Sequence, residues 1–156
     1  MPRQPASPSV ISLPPAHRAW LATVRAYNLC DAVLAERLAE LGLKTGEHEV
    51  LVSLLLYPGA TQQNLAAHSL TAKSVMSSLV SKLEQAGWLE RRADASDARV
   101  WRLHLSADGD ALARRALAIQ NAVVQGMTEG NDAAALATLE AIALRACAAL
   151  EAMRSA

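Results

Sequence analysis

The sequence predicts a mainly α-helical fold with one small β-wing and a long helical segment at each end. Three observations lead there. Apolar residues recur at steps of three and four through most of the chain, the helical period. The composition is rich in Ala and Leu, hydrophobic at 52% and without Phe, which favours helices packed by aliphatic side chains. Between Gly87 and Ser106 the period changes to two, in two short runs facing each other across a polar tip.

The elements follow in order. Pro14-Pro15 suits a helical first turn, and Gly42 suits a helical stop, so the first helix is expected from there to about Leu41. Its stripe is Trp20, Val24, Tyr27, Leu34, Leu38 and Leu41, with Asp31 as the polar position on the seam. A second helix is expected over 46–57, capped by Thr45 and ended by Pro58-Gly59. Thr61 should cap a short third helix, with Gln63 or Asn64 near its third position. Thr71 is the N-cap candidate for a fourth helix over 72–85, which stops at Gly87. On that helix Val75, Met76, Leu79, Val80 and Leu83 should face the core. The opposite face holds Lys73, Ser74, Ser77, Ser78, Ser81 and Lys82, short or basic side chains with no acid before Glu84. Serine is a mediocre helix former, and Glu–Lys pairs would serve solubility better. Such a face suits close approach to phosphates and base edges.

The ribbon is expected over 88–92 and 99–105, with its tip at 93–98; Trp101, Leu103 and Leu105 share one side. Ser106-Ala-Asp-Gly-Asp should cap a fifth helix over 107–127, with the stripe Leu112, Ala116, Ile119, Val123 and Met127. After Gly130-Asn131-Asp132 comes a sixth helix over 132–154, with the seam Leu136, Leu139, Ala143, Ala146, Leu150 and Met153. Helices two to four plus the ribbon make a winged helix-turn-helix. The other three helices would leave apolar stripes exposed in one chain, so a homodimer that interleaves them is expected, in preference to a monomeric bundle. The expected divisions are a flexible N-terminal arm at 1–13, an N-terminal dimerisation helix at 14–44, the winged region at 45–106 and C-terminal dimerisation helices at 107–156.

Bulk properties narrow the function. A length of 156 residues favours one interleaved domain. The Pro- and Ser-rich start lacks the apolar core of a signal peptide, and no unbroken run of eighteen apolar residues appears, so a cytoplasmic protein without a membrane span is expected. Cys30 and Cys147 form no CxxC pair, and His17, His48, His68 and His104 show no metal spacing. No nucleophile–base pairing or phosphate loop is present, so neither an enzyme nor a cofactor is expected. The net charge is zero, and residues 45–110 carry six basic against eight acidic side chains. Any polyanion binding must then depend on where the cations sit.

Residues 48–109 resemble the MarR family of bacterial transcription regulators. The resemblance lies in Leu65-Ala66, then Leu83-Glu84-Gln85-Ala86-Gly87-Trp88-Leu89-Glu90-Arg91, then Asp97-Ala98-Arg99, Leu103, Leu105-Ser106 and Gly109, at matching intervals. It implies a fourth helix that enters a major groove, two copies reading a pseudo-palindrome, and a wing that carries Arg99 into the adjacent minor groove. It further implies that Asp97 orients Arg99 and that Arg91 braces the wing or meets phosphate. The expected DNA-facing set is Thr71, Lys73, Ser74, Ser77, Ser78, Lys82, Arg91, Asp97 and Arg99. The chain departs from the family pattern at Ser69-Leu70, at Ser78 where many members carry Arg, and at Ala98, where the lost cation predicts a shallow salt dependence.

The resemblance also implies a pocket between the dimer helices and the winged region, of a kind that commonly takes aromatic acids or phenols; His17, Trp20, Arg25, Tyr27 and His48 are its candidate lining. Asp31 favours a cross-dimer arginine over a ligand role. Cys30, with no cation closer in sequence than Arg25, favours buried packing over redox sensing, and Cys147, which borders the sixth-helix seam, is read the same way. The expected function is a homodimeric regulator of double-stranded DNA, a repressor released by a small aromatic or phenolic effector. The alternatives are a thiol-based redox regulator on the same scaffold and a winged-helix protein-interaction module that binds no DNA.

Overall fold

The structure, a computed structural model, describes residues 12–68 and 73–155, with the side chains of His68 and Lys73 undescribed. The expected arm at 1–13 lies almost wholly outside these residues, as does Thr71. The order is α1 (Pro15–Ala39), α2 (Thr45–Leu56), α3 (Gln62–His68), α4 (Lys73–Gln85), β1 (Leu89–Ala93), β2 (Trp101–Leu105), α5 (Ala107–Thr128) and α6 (Ala133–Ser155). The two strands form one antiparallel sheet that pairs Leu89 with Leu105 and Ala93 with Trp101.

Local chemistry sets most boundaries. Gly42 and Gly87 take positive φ just past α1 and α4, where a side chain would be strained. Thr61 Oγ1 accepts the Asn64 N–H at 3.2 Å and caps α3. Ser106 Oγ accepts the Gly109 N–H at 3.0 Å, opening α5. Asp132 Oδ1 does the same for Ala135 at 2.8 Å at the start of α6. Helix α2 begins one residue earlier than expected: Thr45 is its first residue and Lys44 takes the cap position, where its N–H donates to Glu47 Oε2 at 2.9 Å.

One core fills the winged region. Leu34 and Leu38 from α1 meet Val50, Leu51 and Leu54 from α2, Leu65 from α3, and Met76, Val80 and Leu83 from α4. Leu89, Leu103, Ala113 and Ala116 close it. Val75 corrects the expected pattern of α4: it is 49% exposed. It sits at the edge of the apolar arc in the first turn, so core packing on this helix starts one residue later, at Met76. Leu103 is fully buried and has a second edge partner. Its carbonyl accepts the Gly59 N–H and its N–H donates to Ala60 O, both at 3.0 Å. The loop after α2 thereby pins β2 from the side opposite β1. Trp101, on the same side as Leu103, sits beyond the core and is exposed.

Outside this unit the apolar seams are open. Trp20, Val24 and Tyr27 on α1, Met127 on α5, and Leu139, Leu150 and Met153 on α6 are all exposed. No residue of α6 is buried. By length and composition this helix is apolar enough to cross a membrane, with a mean hydropathy of 1.6 over its best window. A count of unbroken apolar runs passes over it because of its scattered polar residues.

Gly109 is held against the backbone of Trp88, and an added Cβ would lie 1.9 Å from Trp88 O. A rigid carbonyl cannot yield as a side chain would. Gly109→Ala is expected to lower stability by about 1–3 kcal/mol, from backbone displacement at the wing's base. Urea unfolding followed by circular dichroism checks this; an unchanged midpoint would contradict the packing described.

Candidate nucleic-acid interface and an adjoining cavity

The winged region carries two exposed features, one on α4 and one on the ribbon that follows it. The first is the outer face of α4. Ser74, Ser77 and Ser78 are exposed, and Ser81 is half-buried behind them. Val75 joins this face instead of the core, giving it one apolar group. None of these side chains is long, so a groove floor could come close to the helix. Lys82, at its far end, is not a free cation: it forms an ion pair with Glu47, which is only 2% exposed. Burial pushes the Glu47 carboxyl up, but the Lys82 ammonium and the Lys44 N–H outweigh it and hold the group below its ordinary value. Lys82 therefore fastens α4 to the first turn of α2.

The second feature is the wing. Arg99 is 92% exposed, and Asp97 Oδ1 accepts from both its backbone N–H at 3.0 Å and its Nε at 3.2 Å. The guanidinium is thus aimed outward from the wing tip by the carboxylate two residues before it. Arg91 Nε donates to Glu84 Oε2 at 2.9 Å and ties β1 to the end of α4, the bracing arrangement. Arg92 pairs with Glu90.

The residue that organises the wing, Asp94, was not anticipated. Its carboxylate accepts from the Ser96 hydroxyl, the Ser96 and Asp97 N–H groups and the Arg102 guanidinium. These donors, the Ser96 hydroxyl foremost, hold it well below the usual carboxylate range. Arg102 also donates to Gly59 O at 3.1 Å, joining the wing tip to the loop after α2. The run Asp94-Ala95-Ser96 is an Asx-turn signal and could have been read; the contact with Gly59 spans 43 residues and could not.

On the other side of α2 lies a cavity of about 520 Å³ between α1, α2 and α5. Of the five expected lining residues only Tyr27 and His48 are there. His17 and Trp20 stack edge to face on each other, 5.3 Å between centroids, and are exposed two turns toward the start of α1. Arg25 is exposed and lines none of it. The rise of 1.5 Å per residue sets Trp20 and His17 about 10 and 15 Å from Tyr27 along α1, and Arg25, two residues from Tyr27, projects about 200° round the helix from it. Asp31, Glu49, Ser53 and Gln120 line the cavity instead. His48 is 4% exposed, and in this wall its Nε2 meets the Gln120 side chain, whose Oε1 is likewise buried, short of good hydrogen-bond geometry. Burial lowers the His48 pKa, with Gln120 and Glu49 opposing. Asp31, expected on a buried seam, is exposed at the cavity wall. Cys30 is half-buried against a separate apolar cavity that Arg37 also lines. Cys147 is exposed within the chain, contrary to the expected burial.

A family model described as the MarR family matches residues 43–101. The HTH-type transcriptional repressor Rv2887 of Mycobacterium tuberculosis is 38% identical over 85 residues, 54% of this chain and 61% of that protein. The chain thus matches rather less than two thirds of that relative's length. Among solved structures, the MarR family transcription regulator SP03579 superposes with a TM-score of 0.78 at 24% identity, covering 90% of this chain and 93% of that one. A mutant of MarR from E. coli, complexed with operator DNA, gives 0.72 at 21% identity, covering 83% and 93%. These structures share the fold, a helical frame carrying a two-stranded wing.

The Glu47–Lys82 pair generates a pH dependence. A carboxyl lowered in the folded state stabilises it fully above the ordinary range and ceases to as the pH falls through the lowered value. Lys82→Met is expected to cost about 1–2 kcal/mol at neutral pH, with the exposed ammonium discounted for solvent. It should also flatten the stability loss between about pH 6 and pH 3. Urea midpoints of both proteins across that range check the sign.

Proposed function

We propose that this chain, whose residues 43–101 match the MarR family model, is a homodimeric transcription regulator binding a pseudo-palindromic operator as a repressor. The observation that carries the reading is Arg99, 92% exposed and held by Asp97 on the ribbon that follows the serine face of α4. A guanidinium on a thin ribbon suits the negative potential of a narrow minor groove. The adjacent helix suits a major groove: serine hydroxyls both donate and accept, and Val75 offers methyls for thymine. Thr71, the Lys73 side chain and Arg91 belong to the same proposed contact set, the first two lying outside the described residues.

The open seams support the dimer. An exposed helix with the hydropathy of α6 must be covered, and a second copy presents complementary apolar faces on α1 and α5. Two recognition helices then sit at a fixed spacing, as a two-fold site needs. A small aromatic or phenolic effector in the cavity behind α2 releases the DNA by favouring a dimer whose helices no longer match that spacing. The path is short: Glu47 and His48 are adjacent, one held by α4 through Lys82 and the other at the cavity.

Two measurements test this. Fluorescence anisotropy with duplex from the protein's own promoter should show sequence-dependent binding that Arg99→Ala weakens by about 1–3 kcal/mol. Equal binding to scrambled duplex by a folded protein would favour the protein-interaction module. Sedimentation in detergent-free buffer should give a dimer, and a chain ending at residue 131 should fall to monomer. Insolubility without detergent would point to a membrane for α6 instead.

A further inference from the structure

We infer that Trp101 is a further DNA-contacting residue, which seats its indole against the sugar–phosphate backbone of the duplex. The inference rests on the regulator proposed above and adds an uncharged contact to its interface. Directly opposed residues share a face of the ribbon, so Leu89, Arg91 and Ala93 stand with Trp101, Leu103 and Leu105. The inner end of that face is core, where Leu89 and Leu103 are buried. Arg91, one step out, is tied to Glu84 at the end of α4, so this face is turned toward that helix. Trp101 is the next step out, past the core, and is 51% exposed. Its opposite residue is Ala93, itself exposed and too small to cover an indole.

Position, chemistry and charge all favour a duplex. Arg99 lies two residues before Trp101, so at most about 7 Å of chain separates them. A ribbon that brings the guanidinium to a groove therefore brings the indole to the wall of that groove. The indole has a flat apolar body and one N–H donor, and a duplex backbone alternates deoxyribose carbons with phosphate oxygens. The other three arginines of the ribbon are committed to Glu84, Glu90 and Asp94, so a backbone contact there falls to an uncharged group. A protein partner would need a wider apolar patch, and Trp101 is the one large hydrophobic side chain exposed on the described ribbon. Leu103, bonded on both edges, holds the strand two residues away, so little freedom is lost when the ring docks.

The contact has a signature in salt, because an indole displaces no counterions. Fluorescence anisotropy on the full chain, with duplex from its own promoter and with scrambled duplex, is run from about 20 to 200 mM salt. Trp101→Ala should weaken both duplexes by about five-fold and leave the slope of log affinity against log salt unchanged. Arg99→Ala should instead reduce that slope by about one. Trp101→Phe, which keeps a ring, should lose less than Trp101→Ala. A second readout needs no disruptive variant: 19F spectra of protein labelled with 5-fluorotryptophan carry one signal for each of the three tryptophans. The signal absent from Trp101→Phe should shift as promoter duplex is added. Unchanged affinity in a folded Trp101→Ala, a salt slope reduced as in Arg99→Ala, a loss confined to the promoter duplex, or a Trp101 signal unmoved at saturation would each overturn the inference. Wild-type protein that prefers its promoter while Trp101→Ala matches it loses this contact alone. Wild-type protein that binds neither duplex loses the regulator and the contact together.

Discussion

A single buried carboxylate links the parts of this molecule. Glu47 sits in the first turn of α2 at 2% exposure and takes the Lys44 N–H on one oxygen and the Lys82 ammonium on the other. The first bond starts the helix, and the second sets where α4 lies on it. An acid so placed is tolerable only while both donors stay, so the angle between α2 and α4 is fixed by the cost of stranding a charge. The next residue, His48, faces away from α4 into the cavity. One helical turn thus carries the fastening of α4 on one side and the lining of the cavity on the other.

The wing obeys the same economy of polar groups. Asp94 gathers four donors at the tip, and Arg102 hands the arrangement on to Gly59. Leu103, paired on both edges, prevents the ribbon from swinging as a free hairpin. Arg99, held by a local contact with Asp97, is the most exposed of the wing's four arginines. A rigid stem with one outward guanidinium limits the conformational entropy lost on seating it in a groove.

Much of this was legible in the chain, for local reasons. Gly42 and Gly87 end helices because only glycine takes their positive φ cheaply; Thr61 and Ser106 cap because their hydroxyls reach the N–H three residues on. The ribbon and Arg99–Asp97 follow from period and spacing within a few residues. What was hidden is long-range. Val75 obeys the apolar spacing of α4, yet the core reaches only as far as Met76. One miss was local: Thr45 looked like a cap by residue type, but the Lys44 N–H, three residues from the Glu47 carboxylate, holds that position. The cavity lining was misread because a helix of 25 residues carries Trp20 well away from Tyr27, and because Gln120 arrives from α5.

The pairing of cations has a consequence for how such a protein finds a site on a chromosome. Lys82, Arg91, Arg92 and Arg102 are each bound to an acid of the same chain. For the DNA partner proposed, few charges are left to displace the counterions of random duplex, and the hold on non-cognate sequence is weak. Most copies then diffuse freely instead of sliding along the genome. Promoter occupancy follows the number of molecules in the cell, with little buffering by the vast excess of competing sites.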